Sequence, residues 1–410
     1  MQTRMRAAVG VIAGVAVSAM LLTGCTSAPS APTTAPTGDD AVELDMTPTV
    51  LPDVECVDPT PGGTPVKLML QWLPQAQFSG YYAAECLGYF DEVGLDVELV
   101  PTGGDIVPQD ALFAGDADYA VAWVPKVLGS IEANGIDVTN IAQVFQASGT
   151  TQVSFKGDGV ASVADFAGKR IGSWGFGNEW EIFAAMAAEG LDSTSVSITT
   201  QDFSMNALLD GDVDAAQAMT YNELAQLLET VNPETGALYT VDDLDIVFYE
   251  DTVGGMLQDA IWARTADLAD PAFAAQTTAF LKAVAKGWIY ARDNVEEAAS
   301  ISYAAATAPG QTAYPVGPGH QLWQANEVNK LIWTGTRFGV VDPGAWDQTV
   351  AGSLSAVNQD GQHLITTDPP ASAFDSSYIE AALAELEAEG VDVVGAGFTP
   401  IVVTLKAGGI

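Results

Sequence analysis

The stretch LQWLPQAQFSGYYAAECLGYF, Leu70–Phe90, holds six aromatic residues, three glutamines (Gln71, Gln75, Gln77) and a single charge, Glu85. Working outward from it, PVKLMLQWL reads as a short buried strand, bounded by GGT before it and Pro74 after it. QFSGYYAAECLGYFDEVG reads as a helix ending at glycine, and LDVELVPT as a strand by its alternation. The chain thus opens strand, helix, strand.

The alternation continues. PQDALFAGDADYAVAW gives a helix, a turn and a strand, KVLGSIEANG a helix, and NIAQVFQ a strand. Repeated strand–helix alternation predicts a parallel sheet wrapped by helices, an α/β fold. There is also an internal echo: ALFAGDADYA (Ala111–Ala120) matches ALLDGDVDAA (Ala207–Ala216). Each reads as a helix end, a Gly-Asp turn and a strand start. Asp116, Asp118, Asp212 and Asp214 read better as residues capping their own turns than as metal ligands. The echo predicts two α/β lobes, one starting near Val66 and the other near Ser162, with a ligand cleft between them at the strand ends. The expected division is a first lobe over 65–150, a second over 151–262, and a return to the first over 263–410 with C-terminal helices. The crossovers are expected at Ala147–Phe155 and Gly254–Ala263.

The first residues read as a targeting segment. Arg4 and Arg6 precede an apolar run to Leu22, and Leu22-Thr23-Gly24-Cys25 has the form of a lipoprotein cleavage site. The run is shorter than the roughly 20 residues a spanning helix needs. The reading is a signal peptide over 1–24, lipidation at Cys25, and a flexible Pro/Ser/Thr-rich tether over 25–64. The protein is then held at the extracytoplasmic face of the cell membrane by the lipid alone. Cys56 and Cys86 remain, in an oxidising compartment, and either pair or stay separate thiols. A net charge of −39, from 53 acidic and 14 basic residues, argues against a nucleic-acid partner and for a solvated acidic surface.

Four segments fall at expected strand ends or hinges: Trp72–Tyr82; VPTGGD, with Gly103; IGSWGFGNEWEIF, with Trp174, Asn178 and Glu179; and AMTYNELAQLL, with Tyr221, Asn222 and Glu223. Trp123 closes another strand, and Gln258 and Asp259 lie in the second crossover. Any one aromatic residue is best explained by core packing. Their clustering with Gln, Asn and Glu points to a pocket in which aromatic walls stack a flat ring and amides and carboxylates read its edge. Between Lys67 and Arg264 the cations are Lys126, Lys156, Lys169 and Arg170. That scarcity favours a neutral or weakly basic heterocycle over a sulfonate, nitrate or phosphate. The two histidines, His320 and His363, form no recognisable catalytic arrangement, and no metal site or cofactor is indicated.

From about Val66 to Leu354 the chain resembles the substrate-binding proteins of ABC importers of the thiamine-pyrimidine-synthase-like type. The resemblance rests on LQWLPQAQFSGYYAA, YNELAQ, MLQDAIWA, KGWIYARD and HQLWQANEVNKLIW. It implies a two-lobed periplasmic-binding-protein fold of type II that closes on its ligand and docks on a permease with its ATPase, acting as a monomer. It also implies that Trp72, Gln75, Gln77, Phe78 and Tyr82 line the cleft, and that the carboxylate of the Tyr-Asn-Glu motif is Glu223. Implied ligands are a thiamine pyrimidine precursor (hydroxymethylpyrimidine or formylaminopyrimidine) or riboflavin. Gln75 and Gln77 stand where precursor binders tend to carry Asn and His, which leaves riboflavin open. The same family holds a pyrimidine synthase using pyridoxal phosphate, iron, a consumed histidine and a cysteine cluster. This chain has no such cluster, and a binding protein is expected rather than an enzyme.

Overall fold

The structure is a computed structural model and describes residues 43–104, 106–311 and 317–410. The targeting segment, Cys25 and the first part of the tether lie outside the described residues.

Ten strands build the sheets: β1 (Thr64–Leu70), β2 (Leu95–Pro101), β3 (Tyr119–Trp123), β4 (Val138–Gln143), β5 (Thr150–Phe155), β6 (Arg170–Ser173), β7 (Ser197–Thr200), β8 (Ala216–Met219), β9 (Leu244–Phe248) and β10 (Asp259–Arg264). The first sheet has the order β2-β1-β3-β10-β4, with β1 parallel to β2 and β3, and β10 antiparallel to β3 and β4. The remaining strands form β8-β5-β9 and β6-β7, and a parallel bridge from Ile171 to Ala215 joins β6 to the start of β8. Read through that bridge, the second set runs β7-β6-β8-β5-β9. It repeats the first order position by position, with a parallel trio, then an antiparallel strand, then a second antiparallel pairing. In each set the antiparallel inner strand is the one delivered by a crossover from the other. The molecule is a two-lobed α/β protein with its cleft between the lobes.

The sequence echo has a structural cause. Gly115 and Gly211 both take positive φ, and the second aspartate of each turn clamps the neighbouring strand. Asp118 exchanges hydrogen bonds with the Lys67 backbone, its carboxylate accepting from Lys67 N at 2.8 Å. Asp214 does the same at Arg170 N, at 2.7 Å. These aspartates start a parallel strand pair, and among the described residues no cluster of His, Cys, Asp or Glu suited to a metal is found.

The helix expected over 77–94 is broken. A 3-10 turn (Ala76–Phe78) leads into α1 (Ser79–Cys86), and Gly88, at φ 72°, separates it from α2 (Tyr89–Glu92). Further along come α3 (Pro108–Ala114), α4 (Val124–Asn134), α5 (Trp180–Ala188), α6 (Asn206–Leu209), α7 (Glu223–Leu228) and α8 (Thr265–Leu268). The C-terminal part adds α9 (Pro271–Asp293), α10 (Val295–Ala306), α11 (Pro318–Ile332), α12 (Pro343–Ser355) and α13 (Ser377–Ala388). Helix α9 lies directly on α1. A Cβ on Gly80 would sit 2.1 Å from the Trp288 ring, and one on Gly287 would sit 2.0 Å from the Gly80 carbonyl. The core beneath them stacks Tyr119 on Phe280, with centroids 4.3 Å apart. Helix α12 packs on both α4 and α5, so the returning chain touches elements of both lobes.

Cys56 is disulfide-bonded to Cys86 in α1, and Val57 N donates to the Cys86 carbonyl at 2.9 Å. The pairing that the sequence left open is therefore made. No helix among the described residues is long and apolar enough to cross a membrane.

Candidate functional site

A cavity of about 1060 Å³ opens between the lobes. The residues just beyond six strand ends reach it: Gln71 and Trp72 after β1, Gly103 after β2, Trp123 at the end of β3, Trp174 after β6, Phe203 after β7, and Tyr221 to Glu223 after β8. That is the physical meaning of the repeated strand order. Each lobe presents the C-terminal ends of its parallel strands to the same space.

The aromatic wall crosses the cleft. Trp72 of the first lobe meets Phe203 of the second, with ring centroids 4.4 Å apart. Phe203 in turn stacks on Trp174 at 6.1 Å and an interplanar angle of 25°. Trp174 is buried, and among the described residues its indole N–H has no hydrogen-bond partner. Gly104 allows this geometry, because a Cβ there would lie 2.6 Å from the Trp72 ring.

Behind the first-lobe wall stands Asp259. Its Oδ1 accepts from Trp123 Nε1 at 2.8 Å and from Gln71 Nε2, and its Oδ2 accepts from Gln77 Nε2 at 3.0 Å. Gln75 Nε2 donates to Gln77 Oε1 at 2.8 Å, so a chain of amides runs from the cavity to the carboxylate. Burial pushes Asp259 up to about 6, opposed by these hydrogen bonds and by Lys126. Lys126 lines the cavity with its ammonium 4.8 Å from the Trp123 ring. Burial brings it down to about 8, against the pull of Glu179 and Asp259.

The second-lobe floor is held by amides and one carboxylate. Glu223 Oε2 accepts from Met219 N at 2.9 Å and Oε1 from Asn222 Nδ2 at 2.8 Å. Burial pushes Glu223 up to about 7, partly offset by the Met219 backbone donor, by His320 and by the Asn222 amide. Buried Gln217 accepts from Ser173 Oγ and Trp174 N, and donates to the Asn178 carbonyl at 2.6 Å. It fixes the loop in which Asn178 and Trp174 sit.

Of the residues singled out in the sequence, Trp72, Gln75, Gln77, Gly103, Trp123, Trp174, Asn178, Tyr221, Asn222 and Glu223 come together at the cavity. Phe78 and Tyr82 do not line it: Phe78, at the end of the 3-10 turn, and Tyr82, on α1, are buried in the first-lobe core. Asp259 stands behind the wall. Glu179 precedes α5 and is felt at Lys126. Gln258 sits at the crossovers, accepting from Gly149 N at 2.8 Å and donating to Thr150 Oγ1 at 2.6 Å and Glu181 Oε2 at 3.1 Å. Glu181 Oε1 also accepts from Met256 N at 2.9 Å, so Gln258 and the buried Glu181 together tie both crossovers.

Sequence reasoning missed Phe203, Gln71, the segment Ile106–Gln109 and the loop Asn358–Leu364 with His363, all of which line the cavity. Phe203 follows a strand end and was open to the same rule as Trp174, whereas the 358–364 loop carries no local signal. The cleft also carries more charge than expected, since Lys126 lines it and Glu179 and Asp259 act on that ammonium.

The fold and the cleft define a protein of the two-lobed binding-protein class. Residues 75–298 match the NMT1/THI5-like family, and the chain belongs to that family. It is 24% identical over 238 residues to a formylaminopyrimidine-binding protein of Halalkalibacterium halodurans, covering 58% of this chain and 69% of that protein. It is 26% identical over 190 residues to the riboflavin-binding protein RibY of Chloroflexus aurantiacus, covering 44% and 54%. Among solved structures, a periplasmic sulfonate-binding protein of an ABC transporter from Methylobacillus flagellatus superposes with a TM-score of 0.55 at 15% identity, over 84% of this chain and 99% of that one.

Proposed function

We propose that this protein is an extracytoplasmic solute-binding protein of an ABC importer, held to the membrane by a lipid on Cys25, which captures a flat heterocycle between its lobes and hands it to a permease. The observation that carries the reading is the aromatic bridge Trp72–Phe203–Trp174 across the cleft, set over a floor of amides and the Glu223 carboxylate. A flat ring exchanges these aromatic contacts for its own stacking, while the polar floor reads its edge. Lobe closure over the 147–150 and 254–259 crossovers then buries it. Relatives named for binding formylaminopyrimidine and riboflavin support the ligand class.

Within that class the cavity favours the larger ligand. Its volume of about 1060 Å³ lies just above the usual range for ligand pockets, about 300–1,000 Å³. A fused-ring compound such as riboflavin fills such a space better than a single pyrimidine. A small sulfonate or nitrate fits less well: among the lining residues Lys126 is the one Lys or Arg.

The test is a thermal-shift and calorimetric titration with riboflavin, formylaminopyrimidine, hydroxymethylpyrimidine and thiamine, with taurine and nitrate as anion controls. A saturable rise in Tm with one heterocycle supports the reading and names the cargo. A rise with taurine or nitrate alone overturns it.

A further inference from the structure

The polar floor of the cavity is set by a side chain that never reaches it. His320, in the first turn of α11, is 1% exposed. Its Nδ1 lies 3.0 and 3.1 Å from the two carboxylate oxygens of Glu229, and its Nε2 lies 3.0 Å from Asn222 Oδ1. Asn222 Nδ2 then donates to Glu223 Oε1, and Asn222 and Glu223 line the cavity. Four side chains thus form one hydrogen-bonded line from Glu229 to the ligand space.

The direction of that line follows from donors and acceptors alone. A carboxylate and an amide oxygen only accept, so both ring nitrogens face acceptors. The hydrogen bond to the Asn222 oxygen therefore needs the ring proton on Nε2. An imidazole lacking the Nε2 proton would draw the Asn222 amide round and turn its oxygen onto Glu223. Two acceptors in contact in a buried site are costly. The Nε2 proton thus keeps the Asn222 NH₂ on Glu223 Oε1, the oxygen that accepts from it.

We propose that His320 is a positioning residue for ligand selection: through Asn222 it holds Glu223 as an acceptor in the cavity floor, and so selects a heterocycle that offers a ring or amino N–H at that point. This rests on the heterocycle-binding reading above.

Two measurements test it. The chain has two histidines, His320 and His363, so imidazole ¹⁵N shifts of the labelled protein are assigned with a single His363→Gln variant. The expected spectrum has His320 Nε2 protonated; a ring with a bare Nε2 overturns the proposal. The second is titration of riboflavin and formylaminopyrimidine against His320→Leu and His320→Gln. Leucine keeps the packing and loses the donor; glutamine restores an N–H donor. About tenfold weaker binding in His320→Leu, with His320→Gln within a few-fold of wild type, is expected. Equal binding by wild type and His320→Leu overturns the proposal. Should the leucine variant not fold, the nitrogen shifts of the wild-type protein decide alone. If wild type binds none of the heterocycles, the ligand reading has failed, while the same shifts still report whether the hydrogen-bonded line exists.

Discussion

Trp123 and Asp259 are cross-strand partners in β3 and β10, and the indole N–H of one donates to the carboxylate of the other at 2.8 Å. Asp259 is the first residue of the strand that returns from the second lobe, so the carboxylate that organises the first-lobe wall is placed by the crossover itself. All three of its side-chain partners, Gln71, Gln77 and Trp123, are donors. Asp259→Asn puts an amide N–H against at least one of them. The expected result is a loss of about 1–3 kcal/mol in stability together with weaker ligand binding, read by denaturant unfolding and titration. Unchanged values in both would remove Asp259 from its organising role.

Trp72 tests the stacking wall. It is half-buried, contacts Phe203 across the cleft and packs only at the edge of the core. Trp72→Ala is expected to weaken binding of the cognate heterocycle roughly tenfold or more, about 1.4 kcal/mol, with little change in Tm. Calorimetry showing wild-type affinity would exclude it from the site.

Glu181 gives the pH dependence its sign. Burial pushes its carboxyl from 4.5 up to about 7, against donors from both crossovers. The folded state keeps a proton that the unfolded chain releases as pH rises from about 4.5 to 7. Stability is therefore greatest below that window and falls as pH rises through it. Glu223, raised to about 7, and Asp259, raised to about 6, act in the same direction. Glu181→Gln removes one such contribution, on the order of 3 kcal/mol. Tm measured from pH 4.5 to 7.5 should drop less in the variant than in wild type; parallel curves would refute the assignment.

The α1–α9 contact predicts a packing failure. A methyl group on Gly287 has no space beside the Gly80 carbonyl and Ala84. Gly287→Ala is expected to cost about 1–3 kcal/mol, seen as a lower urea midpoint. Retention of the wild-type midpoint would mean that the helices separate without penalty.

The Cys56–Cys86 bond closes a loop with a sequence separation of 30. Its removal in a Cys56→Ser, Cys86→Ser variant should cost about 3.5 kcal/mol by loop-closure entropy. A Tm that does not respond to reducing agent would show that the arm is held by its other contacts.

Much of the site was legible because strand ends are marked locally. Trp72, Trp123, Trp174 and Tyr221 each stand at or just beyond a strand end, and one rule, that ligands gather beyond the carboxyl ends of parallel strands, finds them all. The same rule over-reached at Phe78 and Tyr82, which the turn after β1 and helix α1 bury in the core. Phe203 was missed because β7, SITT, is too short and polar to announce itself. His320 looked inert because its meaning lies in Glu229 and Asn222, far away along the chain.

The sequence by itself determined the alternation of elements, the doubled Gly-Asp turn, and the family, since these reside in local spacing and in side chains that define their own turns. The tertiary structure alone decided that Cys56 meets Cys86, that Asp259 stands behind the wall rather than in it, that Gln258 and Glu181 together join the two crossovers, and that the 358–364 loop reaches the cavity. Each of these is a contact between segments remote in the chain. Such contacts follow from how the sheets and helices close around a common core, which no local pattern of residues encodes.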